Sequence, residues 1–479
     1  MYTLLPFRFG RLDDGVLVVT DVGEYHFLSP QEFDDFTHAR LAADNPLLQD
    51  LKGKFIAADT ELDSAARFQA VKYRTKKAFL DTSVCLHMVV PTIRCNCGCV
   101  YCQVGSHPSG RASRRTDMSL RTAKRVVDVI HQSPERNLKI EFQGGEPLLA
   151  FETVAFLVTY SAICAAKTGK QIEYVICTNL TELPDRSLRF LKRHKVAIST
   201  SLDGPRNIHD RQRPSLDGSS SYGTFCANLL RARSLIGEDS VSALLTVTKA
   251  NSPLLTTVID EYVARGFHSI FIRPINPFGR AVTCDVAHYP ADEFTARYLA
   301  ALDYILEINR NGYRLADEFV RTLLGRILTP FGDAYVDLQS PAGAGRMCAL
   351  YNYDGNVYAS DEGRMLAEMG DPAFLLGNVK RDNFQGIFGN PLVARMATDT
   401  VLESYPQCRC CPYLPYCGSD PVRDYVEVHS LGGKDVNPSG CRLMRPIFQH
   451  LFRVLRQDDW RTDVFWSWVT GRPLQDIMM

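Results

Sequence analysis

Along the first eighty residues, apolar and polar positions alternate as they would in a small hairpin followed by helices. Gly15–Thr20 is a continuous apolar, β-branched run, Asp21–Glu24 has turn chemistry, and Tyr25–Leu28 is a second apolar run. Ser29, Pro30 and Glu32 then supply a capping hydroxyl, a proline at the first helical position and a carboxylate at the third. Phe33, Phe36 and Leu41 follow at roughly helical spacing, with a second helix predicted near Pro46–Leu51 and a strand at Lys54–Ile56. Residues 1–80 therefore read as a small independent winged-helix-like module, and a structural cap on the next domain fits the same pattern.

From residue 81 to 285 the period changes to strand–helix alternation. Strands are predicted at Leu86–Val90, Lys139–Gln143, Glu173–Thr178, Val196–Leu202, Ala243–Thr248 and Ser269–Arg273. Amphipathic segments of helical length separate them, among them Leu120–Gln132 and Phe151–Lys167. Six β–α units in succession predict an α/β fold, a parallel sheet with helices outside that forms a partial (βα)6 barrel. Functional residues are then expected at the C-terminal strand ends. Residues 286–345 read as a helical connector, 346–445 as a turn-rich, cysteine-rich domain, and 446–479 as a terminal helix and tail.

Composition narrows the class. At 479 residues the chain is long enough for two to four domains. Lys+Arg and Asp+Glu are both 54, so no global charge argues for nucleic acid. No window approaches eighteen uninterrupted apolar residues, so no membrane span is expected, and the N-terminus lacks a signal-peptide layout. A cytoplasmic protein is expected. Fifteen cysteines then need a reason, and they cluster: Cys95, Cys97, Cys99 and Cys102, and again Cys408, Cys410, Cys411 and Cys417. Clustered thiols in a reducing compartment point to metal rather than disulfides.

Cys95, Cys99 and Cys102 give the spacing Cys-x3-Cys-x2-Cys directly after the first barrel strand. Three thiolates hold three irons of a [4Fe–4S] cube and leave one iron open, as a substrate-binding cluster requires; the plainer alternative is a zinc knuckle. Cys97 is off the spacing and reads as a bystander. The second strand runs into Gly144-Gly145-Glu146, glycines that permit close backbone approach to a ligand and a carboxylate able to hold an ammonium. Thr178 and Asn179 end the third strand, and Ser201-Leu202-Asp203-Gly204-Pro205 ends the fourth.

On these motifs the chain resembles the radical S-adenosylmethionine (SAM) enzymes, in particular the branch that modifies ribosomally made peptides and includes the anaerobic sulfatase maturases. The resemblance implies that the open iron chelates SAM through its amino nitrogen and carboxylate. It further implies that Gly144, Gly145 and Glu146 meet the methionyl amino group, and that Thr178, Asn179 or Ser201 meets the ribose. Tyr101 would lie near the adenine and Arg213 would pair with the carboxylate. The C-terminal cysteines are similar to a SPASM extension, which normally carries two auxiliary clusters. Cys408, Cys411, Cys417 and Cys441 match one ligand set, while Ser360 and Pro421 stand where the other set has cysteine, leaving it only Cys348. One auxiliary [4Fe–4S] cluster is expected, with a structural zinc site as the alternative.

Leu5–Phe9, Ser360–Glu362, Arg364–Leu366, Gly370-Asp371 and Leu376–Asn378 most resemble the His-Xaa-Ser system radical SAM maturase of the B type. The implied partners are a precursor peptide, a second radical SAM maturase, a small helper protein and a flavodoxin or ferredoxin donor, with no nucleic acid and no membrane. Two other readings stand beside this one. The first is formylglycine formation as in sulfatase maturases, with Asp317 as the general base. The second is a non-catalytic iron–sulfur or zinc protein that binds peptide.

Overall fold

Every second residue of Asn137–Gly144 is apolar and buried: Leu138, Ile140 and Phe142 share one face, and Lys139, Glu141 and Gln143 the other. The same period runs through the neighbouring strands and sets the architecture of the computed structural model. It describes residues 2–59, 62–108, 115–284, 289–333, 335–431 and 438–478. The described residues group into two compact units. One comprises Thr82–Glu318 and Ala344–Met396, the other Met1–Asp81, Phe319–Gly343 and Ala397–Met479.

The first unit is built on one sheet. Its strands are β1 (Leu86–Thr92), β2 (Asn137–Gly144), β3 (Gln171–Cys177), β4 (Ala197–Ser201), β5 (Val241–Val247), β6 (Ser269–Pro274), β7 (Ala316–Asp317), β8 (Cys348–Tyr351), β9 (Asn356–Tyr358) and β10 (Leu375–Asn378). They lie in the order β7-β6-β5-β4-β3-β2-β1-β8-β9-β10. β1 to β7 are parallel, β8 joins β1 in parallel, and β9 and β10 are antiparallel additions. All six predicted barrel strands are present.

Helices α1 (Leu120–Ile130), α2 (Phe151–Thr168), α3 (Asp185–Arg193), α4 (Ser221–Ile236), α5 (Leu255–Ala264) and α6 (Ala291–Arg310) connect or follow the strands. They cover the face bearing Tyr174, Ile176, Ile198, Leu245 and Ile270, as the Tyr174 hydroxyl bonding to the Val158 carbonyl of α2 shows. The opposite face carries Glu141, Cys177, Ser199, Ser201 and Arg273 and lines the lumen. Helix α7 (Asp361–Glu368) packs both on β8–β10 and on the turn after β6, so it spans the lumen between the two sides of the sheet.

With its preceding turn, α2 (Pro147–Thr168) is long and apolar enough to cross a membrane, at a mean hydropathy of 1.8. In this fold Val154, Leu157 and Val158 turn inward and are buried. The apolar run that would suit a bilayer is here a core face, interrupted enough that no eighteen-residue window is purely apolar.

In the second unit the hairpin Gly15–Thr20 and Tyr25–Leu28 gains a strand that the sequence reading missed, Phe7–Leu12. The capping box is formed: Glu32 N–H donates to the Ser29 hydroxyl and Ser29 N–H to the Glu32 carboxylate. Pro46–Gly53 is a helix as expected, the strand falls at Ala57–Ala58, and Leu62–Lys76 adds a third helix. Val18, Leu28, Phe36, Leu48, Leu51 and Ile56 form the core of this module.

The module is not independent. Tyr416 donates to the Gly23 carbonyl, Arg8 donates to the Arg409 carbonyl, and Phe452 packs edge-on against Tyr25, so residues 1–80 share their unit with the C-terminal segment. The cysteine-rich stretch 346–445 is likewise divided between the two units rather than forming one domain.

Candidate active site

The loop that leaves β1 is fixed before its cysteines begin. Arg94 makes a bidentate pair with Asp117 (Nε to Oδ1 2.7 Å, Nη2 to Oδ2 2.8 Å), and Thr92 donates to the same carboxylate at 2.6 Å. The Thr92 and Arg94 carbonyls accept the N–H groups of Gly145 (3.1 Å) and Glu146 (2.7 Å). The end of β2 is thus laced to the cysteine loop by backbone. This explains the glycine pair differently from a contact with ligand alone. A Cβ at Gly144 would stand 2.4 Å from the Thr92 oxygen, and one at Gly145 2.1 Å from the Arg94 oxygen.

Within the loop Cys95 and Cys97 are buried and Cys99 and Cys102 half-buried; among the described residues no cysteine is in a disulfide. The Cys97 N–H points to the Cys95 sulfur (3.4 Å), and Asn179 Nδ2 lies 3.8 Å from the same sulfur and 3.4 Å from that of Cys97. Cys97, read as a bystander, therefore stands beside the spaced thiols, its backbone bridging to Ser215. Burial pushes the Cys95 thiol well up and the Cys99 thiol up to about 12, while the Arg213 charge opposes this at Cys99. Such thiols ionise when a metal takes the place of the proton.

Glu146 is the focus of the site. It is 0% exposed, yet no Lys or Arg lies within ion-pair distance among the described residues. Its carboxylate accepts from Leu148 N–H (3.0 Å), the Thr178 hydroxyl (2.8 Å) and Asn179 N–H (2.8 Å). Burial raises its pKa to about 7, and these hydrogen bonds oppose the rise. A buried carboxylate with donors but no cation, one strand from a three-thiol loop, fits a ligand ammonium. Thr178 and Asn179, expected to meet a ribose, are committed to Glu146 and the thiol loop. Ser201 lies at the lumen end of β4, half-buried.

Tyr101 and Arg213 depart further from expectation. Tyr101 donates to Asp203, and the Arg213 guanidinium both pairs with Asp203 (2.8 Å) and lies 5.4 Å over the Tyr101 ring. Arg213 is therefore neutralised internally instead of standing free for a ligand carboxylate. Among the described residues the second Asp203 oxygen, Gln143 Nε2 and Gln212 Nε2 are buried without a hydrogen-bond partner, which leaves polar capacity beside the ends of β2 and β4.

Asp317 is not brought to the lumen. It pairs in register with Ile270, whose side chain faces the helices, and it accepts from Tyr298 of α6 at 3.0 Å while fully buried. It lies in the short strand β7 rather than on a helix, which is why its side chain follows a strand alternation the sequence did not announce.

The structure brings further groups to the site, none of which the sequence motifs gave a role there. Arg280 N–H donates to the Cys102 carbonyl (2.9 Å), and its guanidinium to that of Cys99 (3.2 Å). Fully buried Arg364 of α7 donates to Val104 (3.0 Å), tying the helix that spans the lumen to the loop. Inside the lumen the Cys177 thiol donates to Glu141 (3.4 Å), whose pKa burial raises. Asp361 is raised to about 6 by burial, a rise that Arg364 opposes and Glu362 reinforces. These residues are scattered over 223 positions of sequence, from Glu141 to Arg364, and only the sheet collects them.

The second cysteine group lies in the other unit. Burial pushes Cys408 and Cys417 up to about 12 and Cys411 up as well; Cys408, Cys411 and Cys417 each also feel Cys441. Cys410 is exposed. Cys348 belongs to β8 of the first unit and bonds to the Ala359 carbonyl (3.5 Å). Ser360 caps α7 by accepting from Gly363 N–H, and Pro421 opens the helix Pro421–Val428 behind its cap Asp420. Both positions where a cysteine was expected and not found are helix starts. Among the described residues no three His, Cys, Asp or Glu side chains converge on a point suited to one metal ion.

Residues 89–251 match the Radical SAM superfamily. The chain is 27% identical over 345 residues to the cysteine-type anaerobic sulfatase-maturating enzyme of Clostridium novyi, covering 68% of this chain and 84% of that one. Among solved structures it is similar to native anSMEcpe with bound AdoMet and Cp18Cys peptide. The TM-score is 0.62 at 19% identity, over 78% of this chain and 98% of that chain. It is also similar to Streptococcus suis SuiB bound to precursor peptide SuiA, at a TM-score of 0.54 and 12% identity, over 91% and 99%. At such identities the structural likeness establishes the fold alone.

Proposed function

Taking residues 89–251 as a radical SAM domain related to sulfatase-maturating and peptide-maturing proteins, we propose that the chain modifies a ribosomally synthesised peptide, of the His-Xaa-Ser precursor type, by SAM-derived radical chemistry. When bound, a [4Fe–4S] cluster and SAM supply one-electron cleavage of the sulfonium and a 5′-deoxyadenosyl radical that removes a substrate hydrogen. The residues fit that pair of groups. Cys95, Cys99 and Cys102 are the thiolate ligands, with the Cys97 N–H and Asn179 amide donating toward the sulfur of Cys95. Glu146 receives the methionyl ammonium, and its wholly buried, cation-free carboxylate is the observation that carries the reading.

Thr178 and Asn179 orient Glu146, and Asp203 holds Tyr101 and Arg213 as a wall of the site. Helix α7 limits water in the lumen, which protects reactive species from side reactions. Cys408, Cys411, Cys417 and Cys441 hold one auxiliary cluster, and residues 1–80 serve as a winged-helix-like recognition module. A cytoplasmic setting and a flavodoxin- or ferredoxin-type donor suit thiol-rich clusters that must stay reduced.

Formylglycine formation is compatible with the same relatives, but Asp317 does not supply its base, because its carboxylate faces the helical layer. The test is co-expression with a short precursor containing His-x-Ser triplets, followed by mass spectrometry of the peptide. Loss of hydrogens or a new cross-link is expected. An unmodified precursor beside active SAM cleavage overturns the His-Xaa-Ser assignment.

A further inference from the structure

The second unit contains a cavity of about 540 Å³ whose lining includes Cys417 and none of Cys95, Cys99, Cys102 and Glu146. That is within the range of small-ligand sites. One face of the helix Leu62–Lys76 forms a wall, and Ala66 and Ala70 on that face leave the room. Opposite stand the chain from Leu5 to Arg8, the Asp21–Val22 turn, and parts of 326–340 and 403–417.

Its charges do not balance. Arg8, Lys76, Lys77 and Arg326 line it, against the carboxylates Asp21 and Glu403. Arg8 pairs with Asp21, Lys77 with Glu403 (2.7 Å), and Arg326 with Asp333 (2.5 Å). Lys76 has no carboxylate within 4 Å among the described residues. Its ammonium donates to the Arg326 carbonyl (2.7 Å) and lies 5.0 Å from the centre of the Tyr416 ring. It is held against a neutral oxygen and an aromatic face, with one charge left uncompensated beside apolar walls such as Leu5, Val22 and Leu414. Burial lowers its pKa to about 8, reinforced by Arg326 and Lys77 and opposed by Glu24 and Asp333. An anion entering the cavity would supply the missing partner.

We propose that this cavity is a carboxylate-binding subsite in which Lys76 pairs with an acidic group, the Asp or Glu side chain of a peptide or a small free carboxylate. The peptide source rests on the function proposed above; the carboxylate chemistry rests on the cavity alone. A compact, spherical oxyanion is a poorer match, because the walls beside Lys76 are apolar and the other lining cations are already paired.

The test uses the full-length reconstituted protein and calorimetric titration, a readout independent of SAM cleavage. The probes are blocked Ala-Glu-Ala, blocked Ala-Gln-Ala, acetate and inorganic phosphate. The glutamate peptide should bind roughly tenfold or more tightly than its glutamine counterpart. Lys76→Met should abolish that preference and Lys76→Arg should keep it, with the fold of both checked by circular dichroism. Binding of acetate as tight as that of the peptide assigns the small-carboxylate source. Equal binding of the two peptides together with no acetate binding, or preference for phosphate, overturns the proposal; this comparison needs only the unaltered protein.

Discussion

Glu146→Gln separates the cost of a buried charge from the loss of a hydrogen bond. In the folded protein burial raises the Glu146 pKa to about 7 from an ordinary value of 4.5. Between those values the folded state keeps its proton while the unfolded state has lost it. Stability therefore falls as pH rises from about 4.5 to about 7, by roughly 1.4 kcal/mol per unit and about 3 kcal/mol in all. No discount for solvent screening applies, since the side chain is 0% exposed. Glutamine removes this dependence. It also places an amide where Asn179 N–H now donates to a carboxylate oxygen, a mismatch worth about 1–3 kcal/mol that does not vary with pH. The signature is thus the slope and not the offset. Anaerobic denaturant unfolding of both proteins, in one cluster state, should show the variant gaining on the parent by about 3 kcal/mol across that interval. SAM affinity should drop roughly ten- to a hundredfold, and SAM binding to the parent below pH 7 should release protons. Parallel stability curves would refute the reasoning.

Three further outcomes follow from other parts of the site. Gly145→Ala should cost about 3 kcal/mol or more, because the new methyl meets rigid backbone 2.1 Å away; an unchanged denaturant midpoint would contradict this. Asp203→Asn should destabilise by about 3–5 kcal/mol by leaving buried Arg213 unpaired, whereas a loss below about 1 kcal/mol would mean that the pair is solvated. Iron and sulfide analysis should give about eight irons per chain, unchanged by Cys348→Ala; a value near twelve requires a third cluster, and one near four with bound zinc makes the C-terminal site a zinc site.

The barrel was legible because two-residue alternation and strand-end motifs are local signals. Leu138, Ile140 and Phe142 announce their face in eight residues, and the cysteine loop announces its chemistry in the same span. The capping box at Ser29 was equally local. What escaped depends on distance. That Gly145 lies against Arg94, that Asp203 claims Tyr101 and Arg213, and that α7 brings Asp361 to the lumen are consequences of strand order. Asp317 was misplaced because a two-residue strand has no period to read, so its side-chain direction is fixed only by pairing with Ile270. Residues 1–80 looked separable because the contacts of Gly23 with Tyr416 and of Tyr25 with Phe452 cross almost the whole chain.

The proposed function has Cys95, Cys99 and Cys102 present an open iron to SAM beside Glu146. Its most direct test is the yield of 5′-deoxyadenosine when the anaerobically reconstituted, reduced protein is given SAM. The parent should form 5′-deoxyadenosine and methionine in equal amounts. Cys95→Ala, Cys99→Ala and Cys102→Ala should each form none while remaining folded by circular dichroism, and Cys97→Ala should retain the activity. No 5′-deoxyadenosine from the parent, or normal formation by any of those three variants, would contradict the account.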